Sequence, residues 1–481
     1  MAEYDRSASP QTSSIQQQLL RATLNGGRVI TPGDASYDEA RTIFYGGFDR
    51  RHPGAIVRVK DASEVAQVVS LARENGLELA IKSGGHSLAG HSTTEGGIVL
   101  DLSEMKDLQI DVSGRTAWAQ TGLTAGEYTA ATAVHGLATG FGDTGSVGIG
   151  GITLGGGVGY LVRKHGLTID DVLAAEVVTA DGELLEVDSE SHPELFWAIR
   201  GGGGNFGVAT RFKFRLHELS TIVGGMLVLP ASPEIIASFI AEAQAAPEEL
   251  STIANVMVAP PMPFLRQEVH GELIILAMMV YAGEDVDEGE RVIAPFRALD
   301  ARPIVDMLKP MSYPEIYPPE EGDYHPTAVG RTMFLESIDV AEAETIVEYL
   351  STSEAPMRVA QLRVLGGAMA RVGAQATAFA HRSAAIMVNV AAFYESLQER
   401  PAREAWAREF EEALRQGKGN KGDGVYVNFL GEEGEGRVRD AYPGSTWERL
   451  SEIKGRYDPT DLFRLNHNIP PATGQKETSD G

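Results

Sequence analysis

Cysteine is absent from all 481 residues. That removes disulfides, thiolate nucleophiles, iron–sulfur clusters and cysteine-ligated zinc from consideration. Positive charge is scarce: 41 Lys and Arg face 67 Asp and Glu, for a formal net charge of −26. Such a balance argues against nucleic acid or an anionic membrane surface as a partner. A cationic substrate would be drawn to it, but solubility explains the charge equally well. Long apolar runs are missing too. The longest, Leu273–Gly283, falls short of the about 20 residues that span a bilayer. Residues 1–18 are polar, with no basic patch leading into an apolar stretch. The expectation is a soluble, cytoplasmic protein, either a monomer or a homodimer.

Glycine is in excess. The chain has 54 glycines, many of them between Gly136 and Gly207, against the roughly 7% of ordinary composition. They lack the period of collagen, so they point to tight turns around a large ligand. The length predicts two or three domains.

In chain order, residues 1–26 read as a loose arm with a short helix around Ile15–Leu24. Strand-like Ala55–Val59 is followed by a helix opened by Asp61 and Glu64, with its apolar stripe on Val65, Val68, Val69 and Ala72, and stopped at Gly76. A second strand, Leu77–Lys82, leads straight into Ser83-Gly84-Gly85-His86-Ser87-Leu88-Ala89-Gly90-His91-Ser92. One imidazole thus sits in a loop of glycines and serines at the carboxyl end of a β-α-β unit, a common cofactor position.

Beyond it come a strand at Ile98–Leu102, a hairpin around Ser113-Gly114 and a helix capped by Thr124 and Glu127. Residues 140–159 are the densest in glycine. They match GxGxxG-type patterns without the βαβ frame of a dinucleotide fingerprint, and read as extended backbone pressed against a long ligand. A hairpin turns at Asp181-Gly182, Ser191 opens a short helix with Phe196 and Trp197, and Gly207–Leu216 alternates as a half-buried strand.

After Glu218, strands (Thr221–Leu229, Thr252–Ala259, Glu268–Tyr281, Met357–Leu365, Ala384–Phe393) alternate with helices (Ser232–Ala246, Asp287–Leu299, Ala341–Leu350, Pro401–Gln416). This pattern predicts an antiparallel sheet with helices on one face. The helix from Pro401 reads as a solvated face, Tyr313–Pro326 as a loop over a pocket, Gly424–Leu430 as a last strand and Trp447–Tyr457 as a last helix.

Several of these stretches together resemble the FAD-linked oxidases of the vanillyl-alcohol-oxidase superfamily, in the berberine-bridge-enzyme-like branch. They are Ser83-Gly84-Gly85-His86-Ser87, Val147-Gly148-Ile149-Gly150-Gly151 with Gly155-Gly156-Gly157, and Arg163-Lys164-His165-Gly166-Leu167. Phe196-Trp197-Ala198-Ile199-Arg200 with the glycines to Gly207, and Tyr457-Asp458-Pro459 through Asn466-His467-Asn468-Ile469-Pro470, complete the set. His165 stands where a tyrosine is common.

The resemblance implies an α+β fold: a bipartite PCMH-type FAD-binding domain, residues 1–217 and 424–481, with an inserted α+β substrate domain, 218–423, built on an antiparallel sheet. It implies FAD joined at its 8α position to His86; a histidine that only hydrogen-bonds the ring is the alternative. A second, cysteine link found in relatives falls at Thr144, so His86 would be the single attachment, as in the singly linked bacterial members.

The resemblance further implies that FAD meets Ile81, Lys82, Ser83, Gly84, Gly85, Ser87, Gly90 and His91. It would also meet Gly122, and Gly142, Asp143, Thr144, Ser146, Val147, Gly150, Gly151, Gly155, Gly156 and Gly157 of the dense stretch. Val177, Gly207 and Val208 would lie near the adenine, and Asn466 and Asn468 at the flavin edge. Tyr426 would be a catalytic base or a core aromatic, and His381 a catalytic or structural residue. The implied activity is oxidation of a small molecule at a CH–OH or CH–N carbon, with hydride passing to flavin N5 and O2 to hydrogen peroxide. The alternatives are a dehydrogenase using another acceptor and a flavin-binding protein without turnover.

Overall fold

The computed structural model describes residues 28–299, 302–317, 324–417, 422 and 424–472. The expected loose arm and its helix at Ile15–Leu24 lie outside these.

The first sheet holds β1 (Arg28–Ile30), β2 (Ala55–Arg58), β3 (Leu79–Lys82) and β4 (Ile98–Asp101) in the order β1-β2-β4-β3. The pairs β2/β4 and β3/β4 are parallel, so the chain must cross over between β2 and β3. It does so through the helix Ala62–Glu74, where Asp61 accepts from the Glu64 amide. Only half of the anticipated capping box forms, because Glu64 reaches past Asp61 to the Lys60 amide. The Thr124 box on helix Ala125–Ala133 is complete.

A second sheet runs β5 (Leu108–Asp111), β6 (Thr116–Gln120), β7 (Val172–Val178), β8 (Leu184–Val187) and β9 (Val208–Arg215), ordered β5-β6-β9-β7-β8 and antiparallel throughout. Its core is aromatic: Tyr128, Phe141 and Phe214 meet edge to face.

The third sheet is the largest, with eight strands. It comprises β10 (Ile222–Pro230), β11 (Leu250–Val258), β12 (Leu273–Tyr281), β13 (Val305–Asp306), β14 (Lys309–Met311), β15 (Ala328–Leu335), β16 (Arg358–Val364) and β17 (Ile386–Phe393). The order is β13-β10-β12-β11-β16-β17-β15, with β14 also on β10, and every pair is antiparallel. The fold is α+β as expected. Side chains alternate cleanly: Ala360, Leu362, Val364, Val388 and Val390 pack under the helices, while Val359, Gln361, Arg363, Asn389, Ala391 and Phe393 point the other way. That second face positions the site.

Six local expectations are corrected. Residues 149–155 are a short helix rather than extended backbone, its first amide bonded to the Leu123 carbonyl. Residues 424–430 form no strand: Val427–Phe429 curls into a 3-10 turn. Ser191 caps nothing, because helix Pro193–Ala198 starts from left-handed His192. The strand expected from Glu268 begins only at Leu273, after a turn at Gln267–Val269. β15 was not anticipated. Helix Arg400–Arg415 is more than a solvated face, since it buries Ala407, Phe410 and Leu414.

Candidate active site

The sheet face of β15–β17 and the glycine-rich loops close around one cavity of about 430 Å³. Bare backbone makes its lower wall: Gly84, Gly85, Gly142, Gly148, Gly150, Gly151, Gly203, Gly204 and Gly207 all line it. Gly84 and Gly148 touch each other. A Cβ on Gly84 would lie 2.2 Å from the Gly148 nitrogen, and one on Gly148 would lie 2.3 Å from the Gly84 nitrogen. Ser83 fixes the same loop by donating to the Thr121 carbonyl at 2.5 Å.

Gly85 has φ of 71°, a left-handed conformation that lets the next residue face inward. That residue is His86. Its Nε2 lies 2.8 Å from the Ser146 hydroxyl, and its ring stacks on Phe44 with centroids 4.1 Å apart. Phe44 is held by its own amide, which donates to the Gly85 carbonyl.

Of the sequence-derived cofactor residues, Ile81, Ser83, Gly84, Gly85, His86, Ser87, His91, Gly142, Asp143, Thr144, Val147, Gly150, Gly151, Gly207, Val208 and Asn466 line the cavity. Others stand behind the wall. Lys82 turns away to the carbonyls of Ala40 and Thr42. Gly90 packs on Phe48, Gly122 on the Leu102 carbonyl, Gly155 on Asn428 and Gly156 on Phe379. Ser146 backs His86, and the Gly157 amide donates to Tyr426. Two more stand outside this wall. Val177 is core, in β7 against Gly207. Asn468 lines a separate cavity, bonded to Asp461.

The two catalytic candidates fare differently from expectation. His381 is outside the cavity wall: its Nε2 contacts the Asp440 carbonyl at 3.0 Å, and burial lowers its pKa. It is structural. The Tyr426 ring does line the cavity, but its oxygen accepts from the Gly157 amide (2.9 Å), the Val158 amide (3.2 Å) and the Asn428 side chain (2.9 Å). Burial raises its pKa. Three N–H donors converge on this oxygen, which ties the ring to the glycine turn and, against burial, favours the ionised form.

Sequence reasoning missed Phe44, Tyr45, Gln361, Arg363 and Asn389, all in the wall. A signal existed for two of them: Gln361 and Arg363 alternate with aliphatic residues within the strand. Burial pushes the Tyr45 hydroxyl up to about 12, with Tyr324 and Asp143 adding to it. His91 and His467 meet edge to face at 4.7 Å, where this cavity adjoins the second one. Burial takes His91 well below its usual range and His467 down to about 4, so both are neutral.

Residues 53–188 match the FAD binding domain family, and residues 425–470 match the family described as berberine and berberine like. The chain is 32% identical over 458 residues to (R)-6-hydroxynicotine oxidase of Paenarthrobacter nicotinovorans, covering 92% of this chain and 97% of the relative. The chain belongs to the berberine-like FAD-linked oxidoreductases. The crystal structure of 6-hydroxy-D-nicotine oxidase from Arthrobacter nicotinovorans superposes on this oxidoreductase with a TM-score of 0.81 at 30% identity, over 92% and 97% of the two chains. Chitooligosaccharide oxidase shares the fold at 21% identity with a TM-score of 0.81, over 95% and 99%.

The cofactor of this oxidoreductase is FAD, and the wall suits it. Side chains at Gly84, Gly148 or Gly150 would collide with backbone or with Ser83, so the loops can offer only amides and bare Cα atoms to a long, flat, phosphate-bearing molecule. No group of His, Asp or Glu residues among the described residues could hold a metal ion.

Proposed function

We propose that this oxidoreductase is an oxidase of small molecules bearing a CH–OH or CH–N carbon, with FAD attached once, through His86. When bound, FAD supplies the hydride acceptor, and in this reading O2 takes the electrons and leaves as hydrogen peroxide. The observation that carries the reading is the placement of His86 in the glycine wall of a cavity that Gln361, Arg363 and Asn389 also line.

The chain's own residues divide the work. Ser83–Ser87 and the backbone of Gly148–Gly151 would hold the cofactor. Ser146 orients the His86 ring by its Nε2, and Phe44 covers one face of it. Thr144 stands where a second attachment would need a thiol, so His86 is left as the single link. Tyr426 keeps the Gly157–Val158 turn in place. The aliphatic and amide side chains of β15–β17 exclude water from the substrate and orient it.

The test is direct. Acid-precipitated protein should keep its yellow flavin, a His86→Ala variant should not, and peroxide should appear in air with some member of a panel of alcohols, amines and N-heterocycles. Colourless precipitate from the parent protein removes the covalent link. Turnover with a dye under nitrogen, but without peroxide in air, makes the enzyme a dehydrogenase.

A further inference from the structure

We propose that Asp143 is the group that takes the substrate's proton, with Arg363 as its positioning residue, and that the site therefore serves substrates without net charge. The inference rests on the oxidase reading above and adds the acid–base partner that reading lacks.

Oxidising CH–OH to C=O breaks two bonds. The C–H pair departs as hydride to FAD. The O–H pair becomes the second C–O bond, and its proton needs an acceptor; for CH–NH the nitrogen plays the same part. Asp143 is the only carboxylate among the described residues lining the cavity, and Arg363 the only Lys or Arg. Of the other titratable groups in the wall, the Tyr45 hydroxyl is pushed up to about 12 by burial and keeps its proton, and the rest have partners. Tyr426 is surrounded by three donors, and Tyr442 donates to the Gly201 carbonyl. His86 contacts Ser146, and His91 and His467 sit where the second cavity adjoins.

Arg363 is fixed on every side. Its Nη2 is 2.6 Å from Asp143 Oδ2, Nε and Nη2 reach Gln361 Oε1 at 3.1 and 2.6 Å, and Nη1 reaches the Val158 carbonyl at 3.4 Å. The guanidinium also lies 5.1 Å over the Phe429 ring. Arg363 is 4% exposed at its side chain and Asp143 25%. The cation is thus locked in the wall, while the carboxylate reaches the cavity. One Asp143 oxygen is held by Arg363. Among the described residues the other meets only the Thr144 hydroxyl, at a long 3.4 Å, and this Oδ1 is the oxygen for the proton.

A carboxylate is an adequate base here. As hydride leaves, the hydroxyl becomes a protonated carbonyl, far more acidic than a carboxylic acid, so the proton moves downhill. The pair is neutral as a unit. A charged substrate would enter this buried space with no counter-ion, at a desolvation cost nothing in the wall offsets.

The experiment compares the parent protein with Asp143→Asn, which keeps the shape and a bond to Arg363 but accepts no proton. The probe is the first compound of the alcohol and amine panel that bleaches the parent flavin without air. Flavin content, thermal unfolding and product binding (read from perturbation of the flavin spectrum) should stay near the parent values. The anaerobic bleaching rate should fall about 10²–10⁴-fold. The charged and titratable groups facing Asp143 are Arg363, Tyr45, Tyr160 and Tyr317. Arg363→Lys should lower kcat more than it changes KM. Bleaching within about threefold of parent overturns the role of Asp143 while leaving the oxidase reading intact. If neither Asp143→Asn nor Asp143→Glu retains flavin, Asp143 is a cofactor anchor and the proposal is overturned. A parent flavin that no compound bleaches removes the oxidase reading itself.

Discussion

Tyr426 shows how a residue's surroundings can reassign it. Its sequence context, Val425-Tyr426-Val427-Asn428, suits a base as well as a core aromatic, and three N–H donors tie its oxygen to the glycine turn. Tyr426→Phe would strand the buried amides of Gly157 and Val158. We expect it to cost about 1–3 kcal/mol in urea unfolding and to slow flavin bleaching less than tenfold. A hundredfold loss at unchanged stability would make Tyr426 chemical after all. At this scale the sequence is most informative where partners are close along the chain. The Asp61 and Thr124 caps are settled within three residues. His86 could be singled out from its own loop, whereas the pairing of Arg363 could not, because its partner Asp143 is 220 residues away.

Among the elements, helix Arg400–Arg415 carries most of the charge one sees on reading it, yet its inner stripe is dry. Phe410 lies parallel to Tyr349 at 4.7 Å and edge-on to Trp406 at 5.4 Å. Phe410→Ala should lower stability by about 3–5 kcal/mol, whereas Arg408→Ala on the exposed side should stay within about 0.5 kcal/mol; thermal unfolding of the pair checks both. The wide polar face hid a narrow apolar one. β15 escaped notice for a related reason: Gly330 and Arg331 interrupt its apolar pattern, and the pairing with β17 restores the strand. Residues 424–430 erred the other way. Their Val-Tyr-Val pattern is strand-like, but the bond from Tyr426 to the glycine turn draws the backbone into a 3-10 curl.

For the whole molecule, the cavity exists only where far-separated segments meet, so its floor was legible and its ceiling was not. Local glycine runs announce the floor. The ceiling depends on which strands of the large sheet lie side by side, a matter of topology. Burial of imidazoles along these contacts has a consequence for acid stability. His467 is held down to about 4 and His165 to about 3, both chiefly by burial, against about 6.5 in an unfolded chain. Between those values the unfolded state binds more protons, so stability is full above about pH 6.5 and drains as pH falls. The loss expected for His467 is about 2 kcal/mol at pH 5. Urea midpoints at pH 7 and pH 5 measure it, and a His467→Gln variant should show a smaller difference between them.

Arg163 joins the halves that frame the cavity. It donates from the glycine-rich part to the carbonyls of Ala243, Ala246 and Leu250 at the end of helix Pro233–Ala245. The contact between Gly84 and Gly148 does the same for the floor, and it limits how this protein can change over generations. At each position a new side chain would strike main chain, and trimming Ser83, which also crowds Gly148, would leave the clash with the Gly84 nitrogen. A second mutation therefore has nothing to repair, and the path to any other residue at either site passes through a chain whose two loops no longer meet. Drift elsewhere in the molecule can retune what the enzyme accepts, but this pair of glycines has no way out.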